Sequence, residues 1–339
     1  MTEPVRVGVV GCGLIARREH LPSYTSNPDA ELVGVTSGRR ETAEAAAREF
    51  GARRVYDTFD ELLADPEVEA VDLCTPNALH APMAIAAARA GKHVLVEKPM
   101  ALTLTEADAM IGAARESGVL LMVAHNLRYV PVYEQIKRIV AEGVIGRPFS
   151  ARGSFMHAGP DEFWGADSEW FWDAAQAGGG SLFDMGIHMI DLLRWFIGRP
   201  VTEVTAMTAR VFKPTPFDDN AMVTMRFEGD VLAAMQSSWS ARPFPDRHVL
   251  IHGELGHVHM GRSTAEPLVV NLKGEDGDRV IPWEIPKRDA PYNPFVEFIR
   301  CIRTGDTPRT SAEEGRATLA VTLAAYESAQ TRQVVRVGE

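Results

Sequence analysis

The feature that most constrains the fold is a regular alternation of short apolar runs with helix-like segments over the first 123 residues. The predicted strands are Val5–Val10, Ala30–Val35, Ala70–Cys74, His93–Glu97 and Val119–Val123. The predicted helices are Leu14–Asn27, Glu41–Phe50, one opened by a Thr58–Glu61 capping box, Ala81–Ala90 and Thr105–Ser117. Strands that alternate with helices form a parallel sheet covered on both faces. Residues 1–123 are therefore predicted to form a doubly wound α/β domain.

Residues 124–339 follow a different pattern. After predicted helices at Pro131–Glu142 and Ser181–Phe196, five segments alternate apolar and polar residues, which is typical of antiparallel strands with one exposed face. These segments are Thr202–Phe212, Asn220–Phe227, Val231–Ser240, His248–Gly253 and His257–Met260. Helices at Pro294–Thr304 and Ala312–Thr331 complete the pattern. We predict a second, α+β domain over residues 124–339, with an open and mainly antiparallel sheet.

Charge and cysteine content limit the partners and the compartment. The 339-residue chain carries 35 Lys and Arg against 46 Asp and Glu, and its net charge of −11 repels nucleic acid and anionic membranes. No apolar run reaches the roughly 18–20 residues that span a bilayer. The glycine loop at Gly11 follows the first strand too soon for a signal peptide. Cys12, Cys74 and Cys301 are widely spaced, so we expect reduced thiols in the cytoplasm.

The loop after the first strand, Gly11-Cys12-Gly13-Leu14-Ile15-Ala16, matches the pattern G-x-G-x-x-G/A. The first glycine permits a tight turn, the second lets a pyrophosphate approach the backbone, and the small third residue lets helix pack on strand. The following helix offers free N–H groups and a positive dipole end to phosphates. Because the motif lies inside a βαβ unit, we predict a Rossmann dinucleotide site at Gly11, Gly13, Leu14, Ile15 and Ala16.

The end of the second strand bears on which dinucleotide is bound. About 20 residues beyond the glycine loop, NAD-binding chains carry a carboxylate for the ribose 2′-hydroxyl. Here the sequence is Val35-Thr36-Ser37-Gly38-Arg39-Arg40, without a carboxylate. Ser37, Arg39 and Arg40 suit a 2′-phosphate, because arginine forks onto phosphate oxygens. We therefore predict NADP; NAD is the alternative, in which both arginines are solvated residues at a helix start.

Lys98 lies in Glu97-Lys98-Pro99, at the carboxyl end of a predicted strand of the first domain. Ligands of doubly wound sheets bind at that edge, so a lysine there is placed to contact a substrate hydroxyl beside a nicotinamide. The alternative is a structural Glu–Lys pair, which the motif alone favours.

Asp184 and His188 lie four residues apart on a predicted helix that follows Gly178-Gly179-Gly180, so they share a face. A carboxylate and an imidazole on an otherwise apolar helix need polar partners. Histidine is the side chain best suited to take a proton near neutral pH. A satisfied core histidine is the alternative, and a metal site lacks a third ligand at matching spacing.

Three further residues are predicted to contact substrate. Asn126 and Arg128 follow the last strand of the first domain, although Arg128 could equally bridge the domains. Trp172 lies in an aromatic-rich segment, and aromatic rings cover the apolar faces of sugars as well as filling cores.

We predict no metal site. His252, His257 and His259 are close in sequence, but the turn residues Gly253-Glu254-Leu255-Gly256 indicate an ordinary hairpin.

Several of these motifs occur together in one order. They are the glycine loop at 11–16, Thr75-Pro76-Asn77 with His80, Glu97-Lys98-Pro99, the segment 179–188, Pro294–Ile299 and Ala324–Ala329. In this order, and over nearly the whole chain, the sequence resembles the glucose–fructose oxidoreductase/inositol dehydrogenase (Gfo/Idh/MocA) family. One departure is Trp170-Phe171-Trp172-Asp173, where many members carry an arginine after the tryptophan.

The resemblance implies hydride transfer between NAD(P) and a hydroxyl or keto carbon of a sugar or cyclitol. It implies that Lys98, Asp184 and His188 act together at the substrate. It also implies a homodimer or homotetramer formed through the open sheet of the second domain. The residues that it adds to the predicted cofactor site are Thr75, Pro76, Asn77, His80, Glu97 and Lys98.

We therefore expect a dehydrogenase or reductase of a small polyol or keto-sugar. His188 would be the general base, Lys98 would hold the reacting oxygen, and Asp184 would bind a neighbouring hydroxyl or orient His188. Two alternatives stay open: a glycosidase that uses the nicotinamide in a closed redox cycle, as some family members do, and a non-catalytic nucleotide or sugar sensor.

Overall fold

The structure is a computed structural model that describes residues 3–165, 169–260, 267–274, 279–287 and 292–338. The chain divides into two units. Unit 1 comprises Met1–His125 and Ala290–Arg316, and unit 2 comprises Asn126–Asp289 and Ala317–Glu339. No helix among the described residues is long and apolar enough to cross a membrane.

Unit 1 contains a parallel six-stranded sheet in the order β3-β2-β1-β4-β5-β6. The strands are β1 (Val5–Val10), β2 (Ala30–Thr36), β3 (Arg54–Val55), β4 (Ala70–Leu73), β5 (His93–Val96) and β6 (Leu121–Val123). The strand order reverses between β1 and β4, which is the point at which doubly wound sheets bind ligands. The predicted doubly wound domain is confirmed.

The helices of unit 1 follow the predicted rhythm. They are Leu21–Thr25, Arg40–Phe50, Phe59–Ala64, His80–Arg89, Leu104–Ser117 and Pro294–Thr304, with a π-helical turn at Ala16–His20 and a 3₁₀ turn at Asn77–Leu79. The predicted capping box at Thr58 is incomplete, because the Glu61 carboxylate accepts from Asp57 N–H, 2.9 Å away, instead of from Thr58 N–H. A complete capping box lies at Thr103 and Glu106.

The segment 290–316 lies in unit 1, whereas the predicted boundary at residue 123 assigns it to the second domain. Packing explains the difference. The ring of Phe295 lies 4.4 Å from that of His20 and 5.7 Å from that of Tyr24. Val123 N–H also donates to the carbonyl oxygen of Thr310 at 3.0 Å. The segment therefore completes the core and edge of unit 1, although it is remote from them in sequence.

Unit 2 contains a nine-stranded sheet in the order β14-β13-β12-β11-β7-β10-β9-β8-β15, in which only the β7–β10 pairing is parallel among the described strands. The strands are β7 (Pro148–Met156), β8 (Val201–Ala209), β9 (Asn220–Phe227), β10 (Val231–Ser238), β11 (Asp246–Gly253), β12 (Gly256–Met260), β13 (Leu268–Leu272), β14 (Arg279–Pro282) and β15 (Val335–Arg336). The predicted open, mainly antiparallel sheet is confirmed. The sequence analysis missed four of its strands, including the central β7.

The helices of unit 2 include Ile187–Ile197, which packs against β7 and β10 of this sheet. They are Pro131–Ala141, Gly159–Glu162, Ala174–Ala177 and Ile187–Ile197, with 3₁₀ turns at Asn126–Tyr129 and Glu169–Trp172 and a π-helical turn at Leu182–Gly186. The long helix Ala312–Thr331 adds Val321, Ala324 and Ala325 to the core of unit 2.

Candidate functional site

The glycine loop follows β1, at the carboxyl edge of the sheet of unit 1. Gly11 has a φ of 88°, and a Cβ there would lie 2.4 Å from the carbonyl oxygen of Cys74, so only glycine fits. A Cβ on the exposed Gly13 would meet no described atom within 4 Å. Packing within the unit therefore does not require glycine at 13. Its bare backbone leaves the room that a pyrophosphate needs.

The other residues of the loop fit the same site. Ala16 is fully buried, as a small residue between helix and strand must be. Leu14 and Ile15 form the first helical turn and are exposed, so they are accessible to a ligand at the loop. Burial raises the pKa of the Cys12 thiol to about 11, although Arg17 lowers it slightly, so Cys12 is a neutral side chain packed behind the loop.

The predicted 2′-phosphate residues differ in their surroundings. Ser37 lies beside the glycine loop, with its hydroxyl oxygen 3.4 Å from Cys12 N–H. Arg40 is paired with Glu44 at 2.9 Å and with Asp57. Arg39 is exposed and makes no ion pair with any described residue. Of these two arginines, Arg40 is therefore neutralised by carboxylates of the described chain, whereas the charge of Arg39 is not.

The loop after β4 offers one unsatisfied polar group. The hydroxyl of Thr75 is buried and has no hydrogen-bond partner among the described residues. A buried unpaired hydroxyl is unfavourable, so a bound cofactor that reaches it would satisfy it. Pro76 and Asn77 continue the same edge into the 3₁₀ turn.

His80, which the resemblance places in the cofactor site, contacts two backbone carbonyl groups. It is fully buried, with Nδ1 2.7 Å from the carbonyl oxygen of Pro99 and Nε2 2.9 Å from that of Thr75. Both ring nitrogens therefore face the backbone of the protein. The side chain braces the loops that follow β4 and β5.

Lys98 lies at the carboxyl end of β5 and is partly exposed. The neighbouring Glu97 is buried; its Oε2 accepts from Lys98 N–H at 3.1 Å, and its Oε1 lies 2.9 Å from His20 Nε2. Burial alone would raise the pKa of Glu97, but the hydrogen bond and charge of His20 and the charge of Lys98 hold it below its ordinary value. Glu97 is thus an ionised anchor for the backbone of Lys98.

The two loop glycines lead to opposite expectations. Gly13→Val should leave the melting temperature within about 2 °C of wild type, because the Cβ that it adds meets no described atom within 4 Å, and should weaken NADPH binding by about tenfold or more. Gly11→Ala should instead destabilise the fold by about 1–3 kcal/mol, because of the close contact and the positive φ. Calorimetric unfolding and fluorescence titration with NADPH measure both. Unchanged NADPH affinity in Gly13→Val would contradict the assignment of this loop.

In unit 2, Asp184 and His188 lie on one continuous helical segment, a π-helical turn that leads into Ile187–Ile197. Asp184 is partly exposed and accepts from Trp239 Nε1–H at 3.0 Å. His188 is 9% exposed, and its ring lies 5.6 Å from that of Phe155. Turns of π-helix occur often at functional sites, and this one contains Asp184.

The glycines before this helix permit a close contact that sequence reasoning missed. A Cβ on Gly180 would lie 1.9 Å from the carbonyl oxygen of Asp218. The Asp218 carboxylate accepts from Ser181 Oγ at 2.9 Å, from Leu182 N–H at 2.8 Å and from Tyr326 at 2.7 Å. Asp218 therefore anchors the first turn of the helix that carries Asp184. The acidic pair at 218–219, just before β9, was the available signal.

Arg128 is a structural residue of unit 2. It is 2% exposed, and its Nε and Nη2 lie 2.8 and 2.7 Å from the two carboxylate oxygens of Asp191. Thr318 also donates to Asp191, at 3.0 Å. A buried bidentate pair of this kind fixes two helices and does not present the guanidinium to a ligand. This contrasts with the predicted contact between Arg128 and substrate.

The other two predicted substrate residues keep features suited to a ligand. The Oδ1 atom of Asn126 is buried and has no hydrogen-bond partner among the described residues. Trp172 is partly exposed and packs edge-on against Trp239, with ring centroids 5.8 Å apart. Trp239 in turn donates to Asp184, so two packed aromatic rings lie beside that carboxylate.

The comparisons with known proteins agree with this architecture. Residues 5–125 match the family model described as "Oxidoreductase family, NAD-binding Rossmann fold", and residues 133–259 match the "GFO/IDH/MocA C-terminal domain". The chain is similar to a 1,5-anhydro-D-fructose reductase of Ensifer adhaerens, with 31% identity over 98% of both chains. It is also similar to a myo-inositol 2-dehydrogenase of Thermotoga maritima, with 27% identity over 99% of both chains.

Among solved structures, a levoglucosan dehydrogenase in complex with NADH and L-sorbose has a TM-score of 0.87, 27% identity and full coverage of both chains. The fold and the glycine loop define a nicotinamide-dependent oxidoreductase. The chain belongs to the Gfo/Idh/MocA family, and its unit 1 is the NAD(P)-binding domain.

Proposed function

We propose that this enzyme is an NADP-dependent dehydrogenase or reductase of a sugar, a sugar derivative or a cyclitol. The observation that carries the proposal is the position of Lys98, at the carboxyl edge of the same sheet that holds Gly11 and Gly13. The names of the relatives, which include reductases and dehydrogenases of sugars and of inositol, support the substrate class. They give no support to a glycosidase or to a non-catalytic sensor.

In this proposal each residue of the site has a separate role in hydride transfer. The cofactor would lie on the glycine loop and Thr75, and when bound it supplies the hydride acceptor or donor. In the direction of oxidation, His188 takes the hydroxyl proton of the substrate as general base. Lys98 donates to the same oxygen and stabilises its developing negative charge. Asp184 binds a neighbouring hydroxyl, and its bond from Trp239 fixes its orientation.

A panel of polyols, cyclitols and keto-sugars, read by NADPH absorbance with both NADP and NAD, tests the proposal. We expect turnover of at least one class with a matching change in NADPH. Release of an aglycone from glycosides without net change in NADPH would replace it with a glycosidase. Tight NADPH binding with no hydride exchange on any member of the panel would replace it with a sensor.

We propose the preference for NADP because the exposed side chain of Arg39 is suited to bind a 2′-phosphate. Arg39→Ala should weaken NADPH binding by about 10- to 100-fold, because it removes a charge-assisted hydrogen bond to the 2′-phosphate, and should leave NADH binding unchanged. Arg48→Ala is the matched control, since Arg48 is an exposed arginine on the adjacent helix and contacts Glu44. Fluorescence titration with both nucleotides measures the effect. A wild-type enzyme that binds NADH more tightly than NADPH would contradict this preference.

We also propose that unit 2 forms a homodimer or homotetramer through the open face of its sheet. Met207 and Met222 are paired across β8 and β9, and with Leu232 they are mostly exposed on this face. Apolar side chains grouped on an exposed sheet favour a protein partner. Light scattering of the purified enzyme should give a dimer or tetramer mass, and a monomer at micromolar concentration would contradict it.

We propose a cytoplasmic location, because none of the three cysteines forms a disulfide.

A further inference from the structure

A buried polar cluster in unit 1 surrounds His20 and includes Glu97, the residue that anchors the backbone of Lys98. His20 Nδ1 lies 2.8 Å from Asp72 Oδ2, and His20 Nε2 lies 2.9 Å from Glu97 Oε1. The side chains of His20 and Asp72 are fully buried, and that of Glu97 is 11% exposed. Cys74 Sγ also lies 3.0 Å from His20 Nδ1. His20 comes from the helical turn after the glycine loop, whereas Asp72 lies in β4 and Glu97 directly follows β5.

The geometry indicates the protonation state of His20. Carboxylates only accept hydrogen bonds, so an imidazole with a carboxylate at each nitrogen donates from both and is an imidazolium. Burial alone would lower the pKa of His20, but the charge of Asp72 and contacts with Cys74 raise it well above its ordinary value. The result is a positive ring between two negative carboxylates, which offsets the burial of all three groups.

Hydrogen bonding explains this cluster better than a metal ion. Among the described residues, His20, Asp72 and Cys74 are the one group of potential ligands whose ligand atoms lie close enough for an ion. The separations of 2.8 and 2.9 Å from the two ring nitrogens to carboxylate oxygens are hydrogen-bond lengths. With both ring nitrogens donating, the imidazole has no lone pair left for a metal.

The cluster is connected to Lys98 through Glu97. One oxygen of the Glu97 carboxylate accepts from His20, and the other accepts from the backbone N–H of Lys98. We propose that His20 is a positioning residue that sets the orientation of Lys98 by clamping Glu97. The inference rests on the proposed role of Lys98 in the reaction. Asp72 holds the other side of the ring, so the clamp ties the ends of β4 and β5 to one imidazole.

Two substitutions of His20 separate positioning from simple support of the fold. The amide nitrogen of glutamine reaches the position of Nε2, so His20→Gln retains a donor to Glu97. The amide nitrogen of asparagine reaches the position of Nδ1, so His20→Asn retains a donor to Asp72 and loses the one to Glu97. Both variants remove the same charge and keep one buried hydrogen bond, and each is therefore the control of the other.

The first measurement needs no substrate. The dipeptide Glu-Lys occurs once in the chain, at 97–98. Cell-free synthesis with carbonyl-¹³C glutamate and ¹⁵N lysine therefore gives a single carbonyl-to-amide correlation, that of Lys98 N–H. We expect this resonance to stay near its wild-type position in His20→Gln and to move in His20→Asn. Equal positions in the two variants would overturn the link between His20 and Lys98.

The second measurement is turnover. His20→Asn should lower kcat on the order of 10²-fold, because a small displacement of a catalytic group has an effect of that size, with KM for NADPH within about twofold. His20→Gln should retain at least tenfold more kcat than His20→Asn. Equal kcat in the two variants, or losses that follow their unfolding midpoints, would reduce His20 to a structural residue. If wild type turns over no polyol, the proposed function fails, and the Lys98 resonance still decides the link.

If neither His20 variant folds, substitutions of Glu97 test the same clamp from its other end. Glu97→Gln keeps an acceptor for Lys98 N–H, whereas Glu97→Ala removes it. We expect the Lys98 resonance and kcat to be retained better in Glu97→Gln. Equal losses in both would overturn the proposal.

Discussion

Replacing His188 with glutamine is expected to lower kcat by about 10²- to 10⁴-fold, the usual contribution of a general base. Glutamine fills much of the same volume beside Phe155, so the packing of the 9% exposed side chain changes little. It cannot take a proton near neutral pH. NADPH affinity should stay within about threefold of wild type, because the predicted cofactor residues belong to unit 1.

Steady-state kinetics on the best substrate of the panel and a fluorescence titration with NADPH measure these two effects separately. His257→Gln is the matched control, since His257 is a partly exposed histidine on β12, outside the proposed machinery. The control should retain wild-type kcat. Turnover of His188→Gln within twofold of wild type would remove His188 from the mechanism.

Replacing Lys98 with methionine should lower kcat/KM by about 10²- to 10³-fold, the usual effect of removing one donor to a developing oxyanion. Methionine keeps the apolar stem of the side chain and removes only the ammonium group. The backbone N–H of Lys98 can still donate to Glu97, so the melting temperature should change little. Stopped-flow measurement of NADPH formation, together with calorimetry, checks both statements.

Lys92→Met is the control for stability, because it should destabilise the fold without a change in kcat. The ammonium group of Lys92 donates to the carbonyl oxygens of Asp65 and Val68 at 2.9 and 2.7 Å, just before β5. Its removal takes a donor from the buried carbonyl oxygen of Val68, whereas the carbonyl oxygen of Asp65 still accepts from Val68 N–H at 3.2 Å. Stability should fall by about 1–3 kcal/mol while kcat stays at the wild-type value. The assignment of Lys98 fails if Lys98→Met retains kcat/KM, or if its loss of activity matches a comparable loss of stability.

The sequence predicted unit 1 well because its fold leaves local patterns. Strands buried on both faces must be almost continuously apolar, and the predicted and observed bounds of Val5–Val10 coincide. The central strand β7 of unit 2 was missed because its interior includes Arg152, Gly153 and Ser154. Gly153 resembles a turn residue in sequence. In the structure its missing Cβ makes room for Met189, whose sulfur would lie 2.2 Å from a Cβ there.

The candidate site likewise has features that are local in sequence and features that are not. The glycine loop and the spacing of Asp184 and His188 are local, so they can be found by inspection. The groups that hold them are distant in sequence: Trp239 is 55 residues from Asp184, and Tyr326 is 108 residues from Asp218. Arg128 was predicted beside substrate because its position after the last strand is visible, whereas its partner Asp191 lies 63 residues away. Contacts of this range leave no periodic signal in the chain.

The composition of unit 1 from two separate stretches has a consequence for biosynthesis. Phe295 covers the rings of His20 and Tyr24, and Ser311 pairs with Met122 on the edge strand β6. On the ribosome, residues 1–125 emerge long before these partners are made. The nascent domain therefore has an open strand edge and an uncovered ring pair until residues 290–316 have been translated. A product that terminates before this segment would lack the ring that covers His20 and Tyr24 and the residue that pairs with the edge of β6.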